Sequence, residues 1–244
     1  MHFVLVSAQL LGDKATVLAQ ADKLDKWLTN EVATAVPIAQ PIKAAPYFAW
    51  AQYGEPDKIL AMPEPKEAPP FVNAMWHYAR GIAHAKMKDT AAARDEAEAI
   101  ERIGRDTDWT SLDAWAVPVR PILEVARNVV LARAAQTEGD QGAVIGLFEK
   151  AAAAQDEIPY MEPPYWYYPV RQSLGAALLK AGKPEEAEKQ FQAALERERG
   201  NAWALYGLEE AAKAKGDAAG AKKAEDELKR VWRGESGVLT LERL

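Results

Sequence analysis

Helical periodicity dominates this chain of 244 residues. Apolar or small residues recur every three or four positions, and charged residues occupy most of the positions between them. Alanine, which has the highest intrinsic helix propensity, occurs 48 times, mostly within such segments. The only short β-branched runs, residues 3–6 and 128–131, both continue into helical patterns. The sequence therefore predicts an all-α protein.

A period of 34 residues relates several of the helical segments. Gly182 and Gly216 are 34 positions apart, and so are Ala187 and Ala221. A fixed period of this length is typical of stacked helix pairs, each of which buries its apolar face only against its neighbours. Glycine suits the end of the first helix in a pair because it adopts left-handed backbone geometry at little cost.

The clearest copy of the repeat covers residues 168–201, with Leu174-Gly175, Leu178, Gly182, Ala187, Phe191 and Ala194 in order. This segment resembles a tetratricopeptide repeat (TPR), a helix–turn–helix unit of 34 residues. It departs from the TPR pattern at the opening Trp and closing Pro positions, which hold Arg171 and Arg199. Its small residues would let the helices approach closely, and Phe191 is expected to fill the gap between hairpins. The resemblance implies a right-handed α-solenoid with hairpins at about 1–29, 42–63, 70–104, 119–154, 168–200 and 201–232.

Three segments do not fit the period and are predicted to be connectors: 30–46, 104–118 and 157–169. We expect the hairpins to form a single domain over 1–232. The tail that follows, 233–244, either frays or covers the last helix as a cap. The first hairpin lacks the start of its first helix, which indicates a fragment of a longer array or a terminus that needs a neighbour. Apolar faces exposed there would favour self-association into a homo-oligomer.

The last connector contains an insert, residues 158–169, with five aromatic residues and four prolines. In one interpretation it is a rigid aromatic wall that stacks on a peptide or sugar. In the other, its rings plug the step between two irregularly spaced hairpins. Pro-Val-Arg occurs twice, ending at Arg120 and Arg171. Two such arginines near one groove would suit an anion, whereas coincidence or pairing with a surface carboxylate is the simpler explanation.

No recognisable catalytic motif occurs in the chain. It has no cysteine, which excludes disulfides and thiolate nucleophiles, and it has no Gly-x-Ser-x-Gly elbow. His77 and His84 are seven positions apart on one predicted helix, about 10 Å along its axis, which is too far for one metal ion. The remaining histidine, His2, cannot be placed beside them. We therefore expect no cofactor, no metal and no enzymatic activity.

Charge and hydropathy argue against some classes of partner and some cellular locations. The net charge of −6 and the pI of about 5.3 argue against binding to nucleic acid or to anionic membranes. No apolar run approaches the roughly 18 residues of a membrane span, so a soluble protein is expected. Residues 1–6 lack the basic start of a secretory signal. The sequence leaves a cytoplasmic or a periplasmic location open.

The resemblance to TPR proteins also implies where a partner binds. In that family the first helices of the pairs line a concave groove that receives an extended peptide or a partner helix. By register, and with the insert included, the predicted binding residues are Tyr78, Ile82, Lys86, Val129, Arg133, Gln136, Tyr165, Trp166, Arg171, Gln172 and Lys180. The positions matching the carboxylate clamp of chaperone-binding members hold Gln172 and Ala176, so that activity is not expected.

The function predicted from these residues is a non-enzymatic scaffold that binds a peptide or protein in its groove. The alternative is a small-molecule-binding or enzyme-associated module that uses the insert 158–169.

Overall fold

A computed structural model describes residues 1–235 and 237–244 of the chain. Within these residues it contains fourteen α-helices, one short 3-10 helix at Pro37–Ala39 and no strand, which confirms the predicted all-α class. The helices are α1 His2–Leu11, α2 Lys14–Trp27, α3 Asn30–Ala35, α4 Gln40–Tyr53, α5 Pro56–Leu60, α6 Pro70–Lys86, α7 Thr90–Asp106, α8 Thr110–Asp113, α9 Val119–Glu138, α10 Gln141–Asp156, α11 Val170–Lys180, α12 Pro184–Arg197, α13 Ala202–Lys215 and α14 Ala218–Val231.

These helices form two compact units. Unit 1 comprises residues 1–6 and 15–167, and unit 2 comprises residues 7–14 and 168–244. The predicted hairpin boundaries and the predicted single domain over 1–232 remain predictions. Among the described residues, no helix combines the length and the apolar character needed to cross a lipid bilayer.

Unit 1 is built largely from helices that pack on their neighbours in sequence. Helix α6 packs against α4, α5, α7 and α9, while α9 also packs against α7 and α10. Two of the longer helices begin at aspartate caps: Asp89 and Asp140 accept hydrogen bonds from the backbone N–H groups of Ala92 and Ala143. An aspartate at this position stabilises the first turn because it satisfies an amide that has no partner within the helix.

Unit 2 contains four helices in sequence order. Helix α11 packs on α12, α12 on α13, and α13 on α14, and α11 also contacts α13. The turns that follow α11 and α13 contain Gly182 and Gly216, which have positive φ angles of 73° and 75°. Pro184 is the first residue of α12, where its missing N–H costs no hydrogen bond.

The aromatic ring of Phe191 joins three helices of unit 2. It lies on α12 and contacts Gly175 of α11 and Gly207 of α13 so closely that a Cβ atom built on either glycine would lie within 3 Å of the ring. Phe191 itself is completely buried. The ring fills the space between α11 and α13 at these two glycines, while the assignment of those helices to consecutive hairpins stays a prediction.

Residues 7–14 complete unit 2 at the end of α14. The indole N–H of Trp203 donates to the carbonyl oxygen of Gln9 at 2.9 Å, and the backbone N–H of Arg233 donates to Leu11 at 2.8 Å. The ring of Trp232 lies directly over Gly12, where a side chain would collide with it.

The prediction of a connector over 30–46 is wrong, because most of this segment is helical. Pro41 lies in the first turn of α4, where proline is tolerated, but Pro46 lies within that helix. Tyr47 and Phe48, beside the second proline, are buried, as are most residues of α4. Burial of this helix outweighs the hydrogen bond that Pro46 cannot make, since tertiary packing supplies most helix stability in proteins.

The other two predicted connectors differ from each other. The segment 104–118 contains the end of α7 and the short helix α8, so it is only partly irregular. Trp109 secures it by donating from its buried indole to the carbonyl oxygen of Gly104 at 3.0 Å. Between Asp156 and Val170 the chain is irregular, as predicted.

Candidate functional site

The apolar members of the predicted binding surface in unit 1 belong to its interior. Tyr78 and Ile82 on α6 and Val129 on α9 expose only 6%, 7% and 7% of their surface. These side chains follow the helical register expected for the first helix of a pair, but they pack against other helices. In this conformation they contribute to stability and leave little surface for a partner.

The polar members of this set lie nearer the solvent. Lys86 is exposed, and its ammonium group donates to the carbonyl oxygen of Ala51 at 2.7 Å, near the end of α4. Arg133 is half-buried, donates to Gln136 at 2.9 Å and lies over the ring of Phe148 at 5.1 Å. Both cations keep part of their surface accessible while their positions are set by neighbouring groups.

Residues 158–167 of the aromatic insert belong to unit 1. The ring of Trp166 lies 5.0 Å from that of Phe48 and 5.2 Å from that of Tyr78, and Tyr167 lies 4.7 Å from Phe48. Tyr165, Trp166 and Tyr167 expose 7%, 2% and 2% of their surface. Edge-to-face packing of this kind adds to the stability gained from burial. These three rings therefore lie in the interior of unit 1, and the interpretation that they plug the step between two hairpins stays a prediction.

A hydrogen bond from the insert reaches the start of the chain. The hydroxyl group of Tyr167 donates to the carbonyl oxygen of Pro41 at 3.3 Å and pairs with Nε2 of His2 at 2.9 Å. Burial lowers the pKa of His2 to about 4, so this imidazole is neutral at pH 7. His2 thus belongs to the packing of the insert.

Unit 1 also contains a buried ionic cluster centred on Glu96 of α7. Its carboxylate lies 2.5 Å from Nδ1 of His77 and 2.7 Å from Nε of Arg80, and His84 is 3.7 Å away. Arg80 also donates to the carbonyl oxygen of Leu60 at 3.0 Å. All three basic residues come from α6, so the cluster links α6 to α7.

The electrostatics of this cluster favour the ionised carboxylate. Burial alone raises the pKa of Glu96, but hydrogen bonds from His77 and Arg80, together with the charge of Arg80, outweigh that effect and bring the pKa below its ordinary value. The side chain of Glu96 is only 11% exposed. The carboxylate oxygens of Glu96 thus find their charged and hydrogen-bonding partners within the protein. This arrangement is typical of a structural ion pair.

The spacing of His77 and His84 on one helix did not by itself predict this cluster. One signal was present: Glu96 interrupts the otherwise small and apolar inner face of α7, between Ala93 and Ile100. A carboxylate on such a face needs a basic partner. Arg80 lies between the two histidines at helical spacing and could have been identified as that partner.

The predicted residues of α11 in unit 2 fall into two classes. Gln172 is fully buried and accepts a hydrogen bond from the side chain of Asn201 at 2.8 Å; Asn201 in turn caps α13. Arg171 is half-buried and donates to Gln190 of α12 at 2.7 Å. Gln172 and Arg171 therefore hold neighbouring helices together.

Lys180, the last residue of α11, forms a salt bridge with Glu242 at 2.8 Å. The ammonium group holds the pKa of the Glu242 carboxyl below its usual value. This contact brings a predicted binding residue against a segment that lies outside the helical repeats.

Residues 238–244, which we call the docked segment, make further contacts in unit 2. The hydroxyl group of Tyr168 donates to the carbonyl oxygens of Arg243 at 2.7 Å and Leu244 at 3.1 Å. Ser173 of α11 also donates to the carbonyl oxygen of Leu244, whose side chain is completely buried. Leu239 packs against a cluster of Ala202, Leu205 and Leu228 on α13 and α14. We call the surface that holds this segment the α11 surface. It consists of Tyr168, Ser173 and Lys180 together with the apolar cluster of Ala202, Leu205 and Leu228.

No protein-family model and no curated protein matches this chain. Among residues 1–235 and 237–244, no group of three or more His, Asp or Glu side chains is arranged to hold a metal ion. The clearest candidate for a binding contact in the structure is the short non-helical segment 238–244, which side chains of α11 hold.

Exposed apolar side chains are concentrated near the start of the chain. Among the described residues, Trp27 and Phe3 expose 70% and 60% of their surface, and four further large apolar residues between positions 1 and 36 are also exposed: Met1, Val4, Val32 and Val36. Self-association of this part of the chain stays a prediction.

Proposed function

We propose that the protein is a non-enzymatic scaffold that binds short peptide segments of partner proteins, and that its helix pairs are TPR-like repeats. The observation that carries this proposal is the docked segment of unit 2, which is non-helical and is held by Lys180, Ser173 and Tyr168. These side chains recognise one carboxylate and two backbone carbonyl oxygens. A peptide in an irregular conformation offers the same groups, because its carbonyl oxygens are free to accept hydrogen bonds.

The charge of the accessible residues supports a partner with acidic side chains. Of the predicted binding residues that retain exposed or half-exposed surface, four are cations: Lys86, Arg133, Arg171 and Lys180. The chain as a whole has 30 Lys and Arg against 36 Asp and Glu, whereas the predicted binding residues include no carboxylate, so this set is more basic than the chain as a whole. A partner segment that combines carboxylates with apolar residues fits this distribution.

The alternative function, a small-molecule site walled by residues 158–169, has less support. Three of the rings in the insert are buried, and Trp166 and Tyr167 pack on the aromatic residues of α4 and α6. Such rings are already in contact with protein and offer little surface for stacking on a ligand.

Selection from a library of displayed linear peptides tests this function. We expect the retained peptides to combine Asp or Glu with apolar residues. The variants Arg133→Glu and Lys180→Glu each reverse the charge of one predicted binding residue. Each should lower the affinity for peptides bound at that residue about 10-fold, which corresponds to about 1.4 kcal/mol. The matched control is Lys150→Glu, a charge reversal at an exposed lysine of α10 outside the predicted surface. Equal losses in the control variant, or retention of no peptide both by the intact chain and by a chain cut after Glu235, would contradict the proposal.

A further inference from the structure

We propose that the docked segment is a displaceable internal ligand: residues 238–244 occupy the α11 surface, and a partner with the same arrangement of side chains takes their place. The inference rests on the proposed function and names the class of peptide that this surface binds. That peptide carries an acidic side chain with an apolar residue three positions before it and another two positions after it, as Leu239, Glu242 and Leu244 do in this chain.

Each of the three positions has a distinct partner in unit 2. Leu239 packs on the apolar cluster of α13 and α14, and Leu244 is completely buried. The carboxylate of Glu242 lies 2.8 Å from the ammonium group of Lys180. The intervening Arg243 is exposed and contributes its backbone carbonyl oxygen. Recognition therefore uses three side chains at uneven spacing together with the backbone, and proteins commonly bind short linear segments through such a combination.

The geometry of the segment indicates that it detaches more easily than a helix of the same unit. It lies outside every helix, and the backbone N–H of Arg243 donates to the carbonyl oxygen of Thr240 at 3.0 Å within the segment itself. Glu242 exposes 68% of its side chain, so its ion pair lies largely in solvent. Short segments that lie outside helices can open locally without unfolding the rest of the protein, and an ion pair in solvent adds little to hold them.

The chain before the segment provides an anchor and a tether. Arg233 is fixed by its backbone hydrogen bond to Leu11, and Gly234 lies against Trp232 and the backbone of Gly12, where a side chain would collide. Gly237 has a positive φ of 80°, which glycine adopts without strain. A short tether of this kind keeps a detached segment at an effective concentration of about 1 mM beside its surface.

This effective concentration determines how strongly the docked segment competes with an outside peptide for the α11 surface. An outside peptide with the same side chains must compete with the tethered copy, so its apparent affinity for the intact chain is low. Cleavage of the tether replaces the millimolar effective concentration with the micromolar concentration of a free peptide. The apparent affinity of the outside peptide should then rise at least 10-fold.

A protease site inserted after Glu235 makes this test possible after the protein has folded. The probe is a fluorescent peptide with the sequence of residues 237–244, and its anisotropy is measured with cut and uncut protein. We expect binding at least 10-fold tighter to the cut protein. In the cut protein, Lys180→Glu should lower the affinity for the probe about 5-fold, and a probe carrying Glu242→Lys should bind this variant better than the original probe does.

Three outcomes would overturn the inference. The probe binds cut and uncut protein equally, the cleaved segment fails to exchange with the probe over a day, or cleavage abolishes the helical circular dichroism of the protein. The last two results would make the segment an integral part of the fold. If peptides from the displayed library still bind under any of these outcomes, the proposed function stands and this inference alone fails.

Discussion

The Phe191→Ala variant is expected to lose about 4 kcal/mol of its free energy of unfolding, measured by urea denaturation. Phe191 is completely buried, and its ring contacts Gly175 on α11 and Gly207 on α13. Removal of the ring leaves a cavity that two helices without side chains at these positions cannot fill. The loss therefore includes the burial of the ring and the cost of the cavity.

A substitution at Gly207, which the ring of Phe191 contacts, tests whether this contact is the cause of the loss. A Cβ atom at Gly207 would lie 2.1 Å from the nearest ring atom of Phe191. Gly207→Ala should therefore be strongly destabilising in the wild-type chain but cost little in the Phe191→Ala chain, where the ring is gone. A coupling energy near zero between the two substitutions would show that the ring does not lie between these helices.

The Glu96→Gln variant is expected to lose about 3 kcal/mol at pH 7, because the substitution leaves Arg80 and the two histidines without their buried carboxylate. The matched control is Glu98→Gln on the same helix, where the side chain is exposed and the expected change is within about 0.5 kcal/mol. Thermal and urea unfolding at several pH values measure both variants.

The pH dependence of this loss follows from the lowered pKa of Glu96. The carboxyl is more acidic in the folded protein than in the unfolded chain, so ionisation stabilises the fold at pH values above the unfolded value of about 4.3. That contribution disappears as the pH falls through the folded pKa. The difference between wild type and Glu96→Gln should therefore shrink below about pH 4. A difference that stays constant down to pH 2 would exclude the ion pair as its cause.

Local patterns in the sequence predicted the helices and the contact that joins them in unit 2. The 34-residue spacing of Gly182 and Gly216 identified two left-handed turns, and the close helix approach expected at the small residue Gly175 occurs, whereas Gly207 was not identified as the second partner of Phe191. The prolines within residues 30–46 led to the wrong prediction of a connector there. The cost of a proline within a helix is local, whereas the burial that offsets it depends on contacts far away in sequence.

The sequence predicted the fold better than it predicted the binding surface. Repeat register places Tyr78, Ile82 and Val129 on one face of their helices, but register does not reveal what covers that face. The docked segment illustrates the same limit. The salt bridge between Lys180 and Glu242 joins residues 62 positions apart, and nothing in the repeat pattern pairs them.

Hydrogen exchange of the backbone amides in residues 238–244 tests most directly whether the α11 surface recognises this segment through its side chains. We predict that Lys180→Glu and Glu242→Lys each speed exchange in the segment about 5-fold, a change of about 1 kcal/mol in local opening, because each substitution places like charges together. The double variant restores the ion pair in reverse and should return exchange to nearly the wild-type rate. Equal exchange rates in all four proteins would contradict recognition of the segment by Lys180.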